Sequence, residues 1–306
     1  MRIVVMGAGA LGAYFGARLH VAGQDVALVA RGAHLAAIRA EGLRIASPLG
    51  DLHLRDIAAT DDPASLALAD IVMLAVKLWD TEAAAAAIKG LLKPGGAVIS
   101  FQNGVMKDEV LTRVLGKAQV MGGVGYIAAT IAEPGRIVQT GRMARLAFGE
   151  LDGTMSARGE ALRAACEGAG IDVECTPEIT RRIWEKFVFL AASAGCTAAL
   201  RQSLGPIREN PETRAFLHDV MAEIVAVGRA RGVALDEGFA DKSLANVDRM
   251  PPEMTTSMHG DLMRGNRLEL PWLNGWVAKL GAELGIATPL NRALSAVLAP
   301  YAMGTR

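Results

Sequence analysis

Along the first half of the chain the apolar residues fall into short unbroken runs. RIVVM (2–6), VALVA (26–30), IVMLAV (71–76), AVISF (97–101) and VMGGVGYIAA (120–129) read as strands, and helical Ala-rich stretches such as TEAAAAAIKGLL (81–92) lie between several of them. A strand apolar on both faces and followed by a crossover helix belongs to a parallel sheet covered on both sides. IVQTGRMARLAFGEL (137–151) alternates instead and predicts an antiparallel hairpin at the end of this region.

After Asp172 the texture changes. TPEITRRIWEKFVFLAASAGCTAALR (176–201) predicts one long helix with Pro177 in its first turn. PETRAFLHDVMAEIVAVGRARG (211–232) predicts another, closed by Gly232, and further helices follow between Ser257 and Ala302. No strand-like run stands out there. The expected architecture is α/β: a doubly wound parallel sheet over residues 1–172, then an all-helical domain over 173–306.

Composition narrows the function. The 306 residues are 51% hydrophobic, enough for two cores, and 32 basic residues balance 32 acidic ones. No basic field exists to bind nucleic acid, so any anion must be held by a few placed groups. Cys166, Cys175 and Cys196 are scattered, with no metal-ligand spacing, and read as thiols of a reducing compartment. None of the five histidines is assigned a role. The opening apolar run meets glycine at once, unlike a signal peptide. The longest uncharged apolar run, Phe187–Leu200, falls short of the ~18 residues of a membrane span. A cytoplasmic chain with no membrane partner is the expectation. The apolar helices of the second domain suit a homodimer interface and an ordinary core equally.

Gly7-Ala8-Gly9-Ala10-Leu11-Gly12 fits G-x-G-x-x-G, between a strand and a helix. Gly7 permits the sharp turn, Gly9 lets backbone approach a pyrophosphate, and Gly12 allows close helix–strand packing. The N–H groups of Ala10 and Leu11 then open a helix that faces the phosphates. This is a Rossmann-type dinucleotide turn. At the end of the second strand, where an acid would bond an unphosphorylated ribose, stands Arg31. A guanidinium there suits a 2′-phosphate, so NADPH is the expected cofactor.

Four further segments stand in order: VKLWD (76–80) with Lys77, QNGV (102–105) with Asn103, IWEK (183–186) with Lys186, and SMHGDLMRGNRLELPWLNG (257–275) with Ser257, Asp261 and Glu269. With the glycine turn and Arg31, the set resembles the ketopantoate reductase family (2-dehydropantoate 2-reductases) over nearly the whole chain. The resemblance implies NADPH-dependent reduction of a 2-keto acid between a Rossmann domain and a helical one, by default 2-dehydropantoate to pantoate in pantothenate biosynthesis. It implies Lys186 as catalytic lysine and Glu269 as its acidic partner. It places Lys77 and Asn103 against cofactor and substrate, and Ser257 against substrate. The chemistry agrees: hydride attack builds negative charge on the ketone oxygen, which a positioned ammonium stabilises and protonates. Asp261 reads equally as a surface carboxylate and is left off the catalytic set.

The chain also departs from the family. Typical members carry asparagines four and eight residues after the lysine, on the same helix face; here these positions are Leu190 and Ala194. Two lost neutral hydrogen bonds are worth roughly 1–3 kcal/mol, up to about a hundredfold in kcat/KM for a hydroxylated substrate. An apolar branched or aromatic 2-keto acid is therefore the alternative substrate class. A nucleotide sensor without turnover is the alternative from outside enzymology.

Overall fold

The computed structural model describes residues 1–304. Its strands are β1 (Arg2–Met6), β2 (Asp25–Val29), β3 (Leu43–Ala46), β4 (Leu52–Leu54), β5 (Ala58–Thr60), β6 (Ala69–Leu74), β7 (Leu92–Ser100), β8 (Val120–Glu133), β9 (Arg136–Glu150) and β10 (Asp172–Cys175). The helices are α1 (Ala10–Val21), α2 (Gly32–Glu41), α3 (Thr81–Ala87), α4 (Lys107–Leu115), α5 (Ala157–Gly168), α6 (Ile179–Leu200), α7 (Leu204–Glu209), α8 (Pro211–Ala230), α9 (Phe239–Arg249), α10 (Ser257–Met263), α11 (Asn274–Leu284) and α12 (Pro289–Leu298).

The strands form one sheet in the order β4-β3-β9-β8-β7-β6-β1-β2-β5, with β10 also on β9. β7, β6, β1, β2 and β5 run parallel to their neighbours, while β8 and β9 make the antiparallel hairpin. Alternation along each central strand feeds two cores. Ile3 and Val5 of β1 and Ile71 and Met73 of β6 pack with Tyr14 and Phe15 of α1 and Leu162 of α5. Val4, Val72 and Leu74 point the other way, onto Ala84 and Ala85 of α3 and Leu111 of α4. Burial of each such aliphatic side chain contributes about 1.5–3 kcal/mol. The fold is α/β and doubly wound, as the runs imply.

The contacts divide the chain into two compact units: Met1–Gln102 with Met106–Ile179, and Asn103–Val105 with the chain from Thr180 onward. The break falls after Ile179, not at 172–173. The reason is β10, a strand the sequence did not announce: α5 carries the chain back so that Asp172–Cys175 pairs parallel to β9. Thr176 N–H still bonds the Phe148 carbonyl at 2.9 Å, so α6 starts only at Ile179, with Pro177 ahead of it. β3, β4 and β5 were equally silent. The predicted helix at 81–92 ends at Ala87 instead, because Leu91 bonds back to Ile88 and the chain turns into β7 at Leu92.

In the helical unit α6 is the central element. Trp184, Phe187, Val188, Ala191, Ala192, Ala194 and Cys196 are buried against residues of α8, α11 and α12 such as Ile224, Val277 and Leu294. Among the described residues α6 is the one helix long and apolar enough to cross a membrane, and 67% of its apolar window is buried inside the protein. That is the burial of a core helix. Pro211 opens α8 under an Asn210 cap, and Gly232 (φ +86°) follows its end. Burial pushes the thiols of Cys166 and Cys196 up to about 12, which keeps them protonated and unreactive.

Two polar side chains lock the strand ends of the sheet unit. Gln102 donates to the Val76 carbonyl (2.9 Å) and to Thr81 Oγ1 (2.8 Å) and accepts from Ser100 Oγ (2.9 Å), tying the exit of β7 to that of β6. Lys107 is only 1% exposed; its Nζ donates to the carbonyls of Ser100 and Gly123 at 2.9 Å each and pairs with Asp108. Burial pushes the Lys107 ammonium below the usual lysine range, and the Asp108 carboxylate opposes that push.

Lys107→Met leaves two carbonyls and the buried Asp108 carboxylate without their donor. We expect a loss of about 3–5 kcal/mol in urea unfolding, because removing one partner of a buried pair strands the other. Replacing Asp108 by Asn in the same chain should recover part of that loss.

Candidate functional site

The sheet unit gathers one set of groups at the carboxyl ends of β6, β1 and β2, where open α/β sheets bind ligands. After Met6 the chain turns on Gly7 (φ +103°), whose N–H, with that of Ala8, bonds the Val29 carbonyl of β2 at 3.1 and 2.9 Å. A Cβ on Gly7 would sit 2.7 Å from Val76 N and 2.8 Å from Ala75 C. One on Gly12 would strike the Gly7 carbonyl oxygen and lie 2.9 Å from Val5 Cγ1. Backbone packs directly on backbone here, and only glycine fits.

Gly9 is different. It stands at the N-cap of α1 in extended conformation, and a Cβ there would meet no protein atom within 4 Å. α1 has no side-chain cap and no acidic residue in its first turn. The N–H groups of Ala10, Leu11 and Gly12 therefore keep the positive end of the helix available to an anion. Leu11 turns its side chain onto Gly125 of β8, where the missing Cβ makes room for it.

Arg31 occupies the N-cap of α2, its side chain 83% exposed. Its guanidinium donates to Asp80 Oδ2 at 2.8 Å. Asp80 ends the short 3-10 turn Leu78–Asp80 that follows β6. Lys77 opens that turn, exposed, with Nζ 5.6 Å from the centre of the Trp79 ring. The sequence reading missed Asp80; an acid three residues beyond Lys77 was the signal, but its partner lies 49 residues away.

The helical unit holds a second set. Asn103 follows β7 in sequence but belongs by its contacts to the helices: Lys186 Nζ of α6 donates to Asn103 Oδ1 at 3.0 Å, and Val105 packs on the helical core. Two segments 83 residues apart are thus brought to one point. Glu269 is buried between core residues Leu268 and Leu270, and its carbonyl accepts the N–H of Trp272 at 2.9 Å. Ser257 is the exposed first residue of α10; the hydroxyl capping that helix is Thr256, which accepts from His259 N. Asp261, inside α10, is buried rather than on the surface and accepts from Arg264 (3.0 Å) and Asn266 (3.2 Å), tying the loop that follows back onto the helix. Leu190 is half-buried and Ala194 fully buried on α6.

Chemically, one set is a backbone anion cradle flanked by a cation, and the other is a primary ammonium held by an amide oxygen. Known proteins match over nearly the whole chain. Residues 3–153 match the family described as ketopantoate reductase PanE/ApbA, and residues 178–302 match its C-terminal part. A 2-dehydropantoate 2-reductase of Archaeoglobus fulgidus is 36% identical over 293 residues, 96% of this chain and 95% of that one. Among solved structures, a PanE/ApbA family ketopantoate reductase from Ralstonia eutropha JMP134 superposes with a TM-score of 0.90 at 34% identity, covering 99% and 98% of the two chains. A 2-dehydropantoate 2-reductase from Geobacter metallireducens GS-15 gives 0.91 at 30%, covering 98% and 99%. With both parts of the family matched and a relative of the same length sharing a third of its residues, the chain belongs to the ketopantoate reductase family and is an oxidoreductase.

Proposed function

We propose that this chain reduces a 2-keto acid to the 2-hydroxy acid with NADPH, and that its substrate is 2-dehydropantoate, reduced to pantoate for pantothenate biosynthesis. The observation that carries the reading is the Lys186–Asn103 hydrogen bond, in a chain 36% identical over 96% of its length to a protein of that name. The cofactor fits the residues present: the glycine turn from Gly7 to Gly12 leaves open space at Gly9 before unpaired helix N–H groups, and Arg31 adds an exposed cation. The family likeness adds Lys77, exposed at the end of β6 in the same unit, and Asn103 as further cofactor residues. When bound, the nicotinamide supplies the hydride.

The protein's part is to hold charge and deliver a proton. As negative charge grows on the carbonyl oxygen, the Lys186 ammonium stabilises it and gives up a proton to it. Asn103 accepts one N–H of that ammonium and so fixes where the other two point. Glu269, buried in the same unit, holds that cation in place or contacts the substrate hydroxyl, and the family likeness assigns Lys77 and Ser257 to the substrate. A second substrate class is favoured by Leu190, a half-buried leucine on α6 one turn beyond Lys186. An apolar branched or aromatic 2-keto acid suits that side chain better than a hydroxylated one.

Two measurements test this. Lys186→Ala should lower kcat for 2-dehydropantoate about 10²–10⁴-fold, the range of a lost general acid, while NADPH affinity stays within about twofold. A chain that bound NADPH equally well and never oxidised it with any 2-keto acid would be a sensor. Leu190→Asn should shift kcat/KM toward 2-dehydropantoate and away from an aromatic 2-keto acid by about tenfold, the worth of one or two hydrogen bonds. Wild-type protein preferring the aromatic acid outright would make the second substrate class the correct one.

A further inference from the structure

We infer that Asp80 is a specificity-determining residue for the cofactor, and that it lets the chain take NADH alongside NADPH. This rests on the reading that the glycine turn holds a nicotinamide dinucleotide. In dinucleotide folds an acid at the end of the second strand accepts the ribose 2′-hydroxyl, while a basic residue there takes a 2′-phosphate. Here β2 ends in the basic choice, Arg31. The acid comes from the other side of β1: the turn after β6 brings Asp80 Oδ2 to 2.8 Å from the Arg31 guanidinium. Strand order β6-β1-β2 puts the glycine turn between the two, so the ion pair spans the exit of β1. Both ribose-reading charges are present at once, bonded to each other.

The consequences are electrostatic. A 2′-phosphate carries nearly two negative charges at neutral pH and would have to share Arg31 with a carboxylate that repels it. An unphosphorylated ribose brings no charge and finds an acceptor in place. Arg31 is 83% exposed while Asp80 is 29% exposed, so the guanidinium reaches into water from a half-covered carboxylate and can swing away from it at modest cost. The side chain of Asp80 makes no capping bond to α3, which frees it for this role.

The test is binding, without turnover. Dissociation constants for NADPH, NADH, adenosine 2′,5′-bisphosphate and 5′-AMP are measured on wild type, Asp80→Asn and Arg31→Ala. Wild type should discriminate between the bisphosphate and 5′-AMP by less than about tenfold, one pair contact's worth. Asp80→Asn should raise that ratio by about tenfold, tightening NADPH and weakening NADH. Arg31→Ala should weaken NADPH about tenfold and leave NADH within about twofold. Unchanged ratios in Asp80→Asn, or a wild-type ratio above about a hundredfold, overturn the inference and leave the NADPH reading standing. Failure of wild type to bind any of the four nucleotides overturns the dinucleotide reading itself. Asp80→Ser, with melting temperatures for both variants, guards against a folding defect, and should both variants fail to fold, a wild-type ratio above about a hundredfold still overturns the inference.

Discussion

Direct contact of backbone on backbone at the exit of β1 is the constraint from which the sheet unit is built. Gly7 lies against the backbone of Ala75 and Val76, and Gly12 against the carbonyl of Gly7. A single extra carbon at either position would push α1 off the sheet. It would also misdirect the helix N–H groups that face outward beside Gly9. Because Gly7 and Ala8 bond to Val29, the same contact fixes the end of β2 and hence the place from which Arg31 starts. Geometry a few ångströms across thus sets both where α1 begins and where the chain leaves β2 toward Arg31.

Sequence carried most of what is local and little of what is made by pairing. β1, its glycine turn and α1 could be read because strand propensity, turn chemistry and helix pattern agree within twenty residues. β3, β4, β5 and β10 could not, since each is three to four residues long and exists because a neighbour supplies its hydrogen bonds. The Ala run after Thr81 has helix propensity throughout, yet β7 claims its end. Lys107 gave no sign at all, for a lysine beside an aspartate reads as solvated surface. Only the fold shows that Ser100 and Gly123 present carbonyls to it.

The candidate site divides along the same line. Lys186 was singled out through a family likeness, and the structure adds the amide oxygen of Asn103, a partner no spacing could have revealed. Arg31 stands out in the sequence by itself, as a cation after β2, but Asp80 changes what that cation is free to do. Leu190 and Ala194 needed no structure to be noticed. What the helix adds is that Ala194 is sealed in the core while Leu190 is only half covered. A larger side chain at Ala194 would have to displace core neighbours, whereas Leu190 has an uncovered side on which a replacement can be accommodated.

The tripeptide Asn103–Val105 leaves the sheet after Gln102, joins the helices, and returns at Met106. The two units are therefore interleaved along the chain and not simply strung one after the other. A gene fragment stopped near residue 179 would encode every strand yet leave this tripeptide without its neighbours. The complementary fragment would lack the amide that orients its lysine. Recombination between relatives at that boundary exchanges incomplete parts, and a complete exchange of the helical unit has to carry residues 103–105 with it.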